Sequence, residues 1–397
     1  MTVIFVTYHD FRSNSSIQVF SLANRMVELG HCVHVCIPGG TETVTLPGRP
    51  LFSCSTYANA LNRPGQFEGT PGNTVIHAWT PREKVRKFTR RLREILGCPA
   101  IVHLEDNEDI VTASMLGCDP DHMLAQPENL LDPFISQSLS HPRRYRAFLE
   151  SASGVTHLID KLSVFVPAGK PCMMFWPAYN GDIFHEMPLL LEERRRLGIG
   201  DHEKVLAYTG NVTAANRREV ASLYLAVVIL RRQGYAARLL RTGRDFVPLF
   251  PGPAEEISEA VISLGQLAHH GEIPRVLGMA DFLVQPGRAD PYNDFRFPSK
   301  LPEFFSIGRP VLLPHTNLGR FVRDGVDAVV LREGHAMEIA DRLIELIRDP
   351  AKCEQLSRGA LAFCKLHFDW NKAATALIAF YDHLSTYAAT SQGAASQ

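Results

Sequence analysis

The apolar positions of this chain change period repeatedly. VIFVTY (3–8), CVHVCIP (32–38), TVIHAW (74–79), AIVHLED (100–106), GVTHLID (154–160) and KPCMMFWP (170–177) are short apolar runs that predict buried strands. Helix-spaced stretches lie among them. SIQVFSLANRMVELG (16–30) and PREKVRKFTRRLREILG (81–97) each end on glycine, a helix-stop signal. PAYNGDIF (177–184) breaks the rhythm and reads as a linker, and LEERRRLGIGDHE (191–203) reads as charged surface. The alternation then restarts. Strands are predicted at KVLAYTGN (204–211), AARLLRTG (236–243), ISLGQL (262–267), DFLVQPG (281–287), Pro310–Pro314 and AVVLRE (328–333). Helices are predicted at ANRREVASLYLAVVILRRQG (215–234), PRVLGMA (274–280), Leu301–Ile307, His335–Arg348 and Trp370–Tyr387.

Strands alternating with helices imply parallel sheets covered on both faces. The predicted fold class is therefore α/β, with two doubly wound Rossmann-like domains facing a cleft. The expected N-terminal domain is 1–180 and the C-terminal domain 181–365. A C-terminal helix, 366–388, is expected to pack back on the first domain, and 389–397 to be a disordered tail. Ligands of such sheets bind beyond the carboxyl ends of the strands.

Composition adds little beyond exclusions. The chain has 397 residues, 45% hydrophobic and 21% charged, with a formal net charge of −1. Whole-molecule charge thus argues for no nucleic-acid partner. No window resembles a membrane span, and MTVIFVTYHD lacks the features of a signal peptide. A cytoplasmic protein with reduced cysteines is expected. The run HCVHVC (31–36) places Cys32, His34 and Cys36 on one strand face, but no second ligand cluster accompanies it. A buried strand is the better reading, and no metal or other cofactor is expected.

The stretch FRFPSKLPEFFSIGRPVLLP (295–314) holds candidate chemistry. Ser299 and Lys300 stand at a helix start, where backbone N–H groups and an ammonium suit phosphate. Glu303, one turn on, could accept both hydroxyls of a ribose. Together they describe a nucleoside diphosphate site. The alternative is plain capping, with Ser299 as N-cap and Glu303 as a favourable first-turn charge.

YTGN (208–211), RTGRD (241–245), the 280–286 strand, PSKLPEF (298–304) and GRPVLLP (308–314) resemble the retaining glycosyltransferases of family four, which have the GT-B fold. In the amino half, Leu29-Gly30-His31, VIHAWTPR (75–82) and PAYNGDIF match more loosely. The resemblance implies a nucleotide-sugar donor on the carboxyl domain, with Glu303 on its ribose. The family's diphosphate-gripping Arg and Lys fall at Asn211 and Asn216, just past Gly210, so Arg217 would supply the charge. Thr242, Gly243 and Arg244 match a turn near the nucleoside, and Gly265 falls where the base stacks on backbone. Family members carry a second glutamate eight positions before Glu303; here it is Phe295. The family's glycine-rich loop after the first strand is replaced by FRSNSS (11–16), a candidate anion-binding turn or simply an N-cap.

HLEDNED (103–109) gathers four carboxylates after a strand, which calls for solvation, pairing or use. The resemblance sets Glu105 where the family has a histidine near the transferred sugar. Glu105 or Asp106 could position the acceptor hydroxyl or take its proton, or the run could be a solvated acidic loop. His77, at the end of the preceding strand, is a third candidate catalytic residue, against a structural role. The basic helix Thr80–Ile95 suits an anionic membrane surface, or is a solvated face.

The expected activity is transfer of a sugar from a nucleotide-diphosphate sugar to a hydroxyl of a glycan, lipid-linked or small-molecule acceptor. Retention of configuration, metal-independence and work in cell-envelope polysaccharide or glycolipid synthesis, at the inner face of the membrane, are what the resemblance implies. Two alternatives stand beside it: a sugar-nucleotide epimerase of the same fold, and a non-catalytic nucleotide-sugar binding module.

Overall fold

The computed structural model describes residues 1–67, 69–252 and 255–394, with side chains described as far as Leu384. The chain forms two compact units. The first comprises Met1–Pro177, Phe295–Phe297 and the segment from Asp369 onward; the second comprises Ala178–Asp294 and Pro298–Phe368.

The first unit is built on seven parallel strands: β1 (Thr2–Thr7), β2 (Cys32–Ile37), β3 (Ser53–Thr56), β4 (Thr74–Trp79), β5 (Ala100–Leu104), β6 (Gly154–His157) and β7 (Cys172–Met174). Their order is β3-β2-β1-β4-β5-β6-β7. β1, β4, β5 and β6 are buried along their whole length, which is why they read as unbroken apolar runs. On β2, His34 bonds Ser55 at 2.9 Å and Cys36 is fully buried, its thiol pushed up by burial.

The last helix, Trp370–Ala394, packs against the helix Asn14–Glu28. It therefore extends through residues 389–394, where a tail was expected. Residues 395–397 of that expected tail lie outside the described residues. The division after Pro177 falls at the start of the expected linker, and the first unit regains the chain from Asp369.

The second unit has six parallel strands: β8 (Lys204–Thr209), β9 (Ala237–Thr242), β10 (Val261–Ser263), β11 (Phe282–Val284), β12 (Val311–Pro314) and β13 (Val329–Leu331). Their order is β10-β9-β8-β11-β12-β13. The helices Arg217–Arg232 and Ala336–Arg348 bury Val220, Leu223, Val227, Ile339 and Leu343 against this sheet in one core. Several elements had no counterpart in the apolar pattern, among them β3 and the helices Glu108–Leu116, Pro142–Ser151 and Pro350–His367.

Candidate functional site

In the second unit, the candidate donor residues gather at the carboxyl ends of β8 and β9 and on the short helix Leu301–Ser306. Three turns are laced together there. Gly210 donates its N–H to Thr242 O at 3.2 Å, and Gly243 donates to Gly265 O at 2.7 Å. Gly210 and Gly243 have φ of 144° and 103°, and a Cβ on Gly243 would stand 2.3 Å from the Gly210 carbonyl oxygen. Only glycine lets the β8 and β9 turns approach so closely. Asn211 Oδ1 accepts the Arg244 N–H at 2.8 Å, while Asn216 Nδ2 donates to Asn211 O at 2.9 Å. Asn211 and Asn216 thus brace the loop through bonds within the protein.

Lys300 lies across this loop. Its Nζ stands 4.3 Å from the Tyr208 ring centroid, and a Cβ on Gly210 would meet it at 2.7 Å. Gly210 is therefore the gap through which the ammonium reaches the loop. Glu303 is largely covered, and its Oε1 lies 2.8 Å from His270 Nε2. The helix begins after Lys300, not Ser299, and the Lys300 side chain makes no capping bond. Glu303 lies in the first turn of that helix, as the capping alternative expects, but six residues give it little macrodipole. Arg217 opens the helix Arg217–Arg232 and lines a cavity of about 680 Å³ with Arg218, Glu219 and Arg288. Its Nε donates to Leu249 O at 3.4 Å.

In the first unit the acidic run is not a solvated loop. Glu105 is 8% exposed; its Oε2 accepts from Ser15 Oγ at 2.5 Å and its Oε1 from Trp79 Nε1 at 2.9 Å. Burial pushes its carboxyl up to about 7, with the charge of Asp106 adding to the rise and the Ser15 bond opposing it. Asp106 is the more open neighbour. Glu108 accepts from Ser140 Oγ at 2.7 Å and faces Arg82 Nε at 3.6 Å. Asp109 is clamped by Arg146 at 2.6 Å and by the Tyr145 hydroxyl at 3.1 Å. Glu105, Glu108 and Asp109 are thus partnered, and Asn107 caps the helix Glu108–Leu116 that carries the second half of the run. Arg82 also stacks on Tyr8, 4.5 Å from the ring centroid, and burial raises the Tyr8 hydroxyl pKa.

His77 is a correction. It is fully buried; Nδ1 shares a hydrogen bond with the Tyr381 hydroxyl at 2.7 Å and Nε2 one with Thr156 Oγ1 at 2.9 Å. Burial drives its pKa down to about 3. A neutral ring with both nitrogens engaged ties the last helix to β4 and β6 and offers nothing to a substrate. In the FRSNSS turn, Ser13 caps the helix Asn14–Glu28 by accepting from Ser16 N, and Ser15 is committed to Glu105. Phe295 has its ring 5.7 Å from that of Phe165, an apolar contact where the family pattern has a carboxylate.

Glu128, Asp132 and His141 place their ligand atoms within 4.8 Å of one another. The chemistry there disfavours a cation. His141 Nδ1 accepts from the Arg143 and Arg144 N–H groups, which leaves the proton on Nε2, and Arg144 already binds both carboxylates.

Sequence reasoning gave no role to Tyr208, His270, Trp79 or Tyr8; it read Ser15 only within the FRSNSS turn and Arg82 only within the basic helix Thr80–Ile95. Tyr208 lies inside a motif that was noticed for its glycine. His270 sits in a polar stretch without periodicity, and its partner is 33 residues away.

Comparison with known proteins bears on both units. The chain is 27% identical over 241 residues to a D-inositol 3-phosphate glycosyltransferase from Thermobispora bispora, covering 58% of this chain and 54% of that one. The chain spans about half the length of the curated relatives it matches. Sucrose-phosphate synthase from Thermosynechococcus elongatus superposes with a TM-score of 0.69 at 16% identity, over 98% of this chain and all of the other. HepE from Anabaena, solved in complex with UDP and glucose, gives 0.67 at 14% identity over 96% and 99%. These likenesses establish the GT-B fold. Residues 203–349 match the family described as Glycosyl transferases group 1.

Proposed function

We propose that the protein is a glycosyltransferase that moves a sugar from a nucleotide-diphosphate sugar to an acceptor hydroxyl, with retention of configuration. One observation carries the reading. In the unit that matches the family, Lys300 is set over Tyr208 against Gly210, with Glu303 on the next turn, all at the carboxyl edge of a parallel sheet. Such an edge is where a nucleotide binds.

Glu303 takes the ribose hydroxyls, and the packed turns at Gly210, Gly243 and Gly265 expose backbone to the nucleotide. Thr242 and Arg244 flank that surface, and Ser299 stands beside Lys300. As the glycosidic bond breaks, negative charge grows on the departing diphosphate. Lys300, with Arg217 at the loop's far end, stabilises it without a metal or other cofactor. On the first unit, Asp106 meets the acceptor hydroxyl. Glu105 stands behind it, buried, accepting from the Ser15 hydroxyl and the Trp79 indole N–H. A glycan or lipid-linked acceptor at the cytoplasmic membrane face fits the exposed Arg90, Arg91 and Arg93 of the helix Glu83–Leu96. No helix among the described residues is long and apolar enough to cross a membrane.

The test is turnover of UDP-, GDP- and ADP-sugars with and without a mixture of acceptors. Transfer requires acceptor. Chemistry without acceptor, or saturable binding with no chemistry, overturns the proposal. Glu303→Ala weakens nucleotide binding by roughly 1.5–3 kcal/mol, the worth of a hydrogen bond to a charged group; unchanged affinity removes Glu303 from the ribose.

A further inference from the structure

Resting on the donor reading above, we propose that His270 is the positioning residue that makes the site select ribose over deoxyribose. Glu303 alone can swing about its side-chain torsions. In the structure its Oε1 is fixed by His270 Nε2 at 2.8 Å, and Oε2 carries no bond to any described protein group. His270 is in turn fixed on two sides. Its ring lies 5.3 Å from that of Phe184, which is fully buried. Its own turn, His270–Glu272, is closed by a capping box in which His269 N donates to Glu272 Oε1 at 3.2 Å.

Phe184 is placed by the chain break at PAYNGDIF, whose Asn180 carbonyl accepts the Phe184 N–H at 2.9 Å. The linker motif therefore has a task beyond joining the units: it seats the ring that seats the imidazole that aims the carboxylate. Held this way, the carboxylate keeps both lone pairs of Oε2 and one of Oε1 for a vicinal diol. Without His270 the carboxylate gains torsional freedom and a hydration shell, both lost again on binding, and that cost falls on the contact to the diol.

His270 is about half exposed, so its removal leaves the core intact. Among the described residues, Glu303 is the one ionisable group that acts appreciably on His270. Burial alone would lower the imidazole pKa; the Glu303 hydrogen bond and charge outweigh it and raise it, which favours the ring as donor.

The experiment is calorimetric titration of UDP, GDP and ADP, each paired with its 2′-deoxy counterpart, into wild type, His270→Ala, His270→Gln and Glu303→Ala. Gln can place an amide nitrogen where Nε2 stands. Wild type is expected to prefer the ribonucleotide by roughly tenfold or more, the scale of a hydrogen bond to a charged group. His270→Ala loses most of that preference while its 2′-deoxy affinity stays within about twofold, and His270→Gln recovers it. The 2′-deoxy ligand reports that the site is still folded. If His270→Ala keeps the wild-type preference, or weakens both ligands equally, the assignment is overturned while the donor site stands. If wild type binds none of the three pairs, the donor reading itself falls and takes this assignment with it.

Discussion

Glu105→Gln is expected to make the first unit more stable at alkaline pH and to flatten its dependence on pH. In the fold the Glu105 carboxyl titrates near 7, against an ordinary value of 4.5, because burial disfavours its charged form. The folded state therefore holds this proton more tightly than the unfolded chain. Its contribution is fully present below about 4.5 and is lost as pH rises to about 7 and beyond. At about 1.4 kcal/mol per pH unit the whole loss is roughly 3 kcal/mol, most of it between about pH 5 and 8. Gln removes the titration and keeps the partners: its oxygen can accept from Trp79 Nε1 and its amide can donate to Ser15 Oγ. All three tryptophans, Trp79, Trp176 and Trp370, belong to the first unit. Urea unfolding followed by tryptophan emission therefore reads that unit alone. The difference between variant and wild type should grow in favour of the variant as pH rises. A difference that stays flat across the window refutes the buried, proton-holding account of Glu105.

Three further outcomes follow from the same geometry. Lys300→Ala should lower kcat far more than it raises KM, because the charge it meets is largest in the transition state; steady-state kinetics with a KM effect alone would contradict this. Gly243→Ala, forced to a φ of 103° with its methyl 2.3 Å from a backbone oxygen, should cost about 2–5 kcal/mol and open the β8–β9 turns. Denaturant titration and nucleotide binding would both register it. His77→Ala takes a partner from the buried Tyr381 hydroxyl, leaves Thr156 Oγ1 with His103 in place of two imidazoles, opens a cavity, and should cost roughly 3 kcal/mol in thermal or urea unfolding. The kinetic constants of the protein that remains folded should hardly change.

The architecture was readable because its determinants are local. Parallel strands buried on both faces, such as VIFVT and TVIHA, must be apolar throughout, and helices between them must show one apolar face. β3 was not readable because SCST has the polarity of a loop; it is a strand because β2 pairs with it. The helix Pro350–His367 went unread, although Asp349 and Pro350 mark its start.

The site was half readable for a similar reason. Glycines at strand ends, Lys300 and Glu303 signal themselves by type and position. The fate of the acidic run did not, because Ser140, Tyr145 and Arg146 lie more than thirty residues from the carboxylates they satisfy. His77 misled for the same reason in its plainest form. A histidine near a strand's carboxyl end looks open until a hydroxyl 304 residues later closes over it.

That late closure bears on how the molecule is made. The ring of Phe380 and the side chain of Leu384 press on Gly154, where an added Cβ would meet them at 3.0 and 2.8 Å. During synthesis these residues leave the ribosome after every strand of both sheets. The second unit has all its sequence by Phe368 and can consolidate first, whereas the earlier-made sheet waits with a bare groove around His77. A chain halted near residue 368 would display that groove permanently, a natural handle for chaperones and proteases.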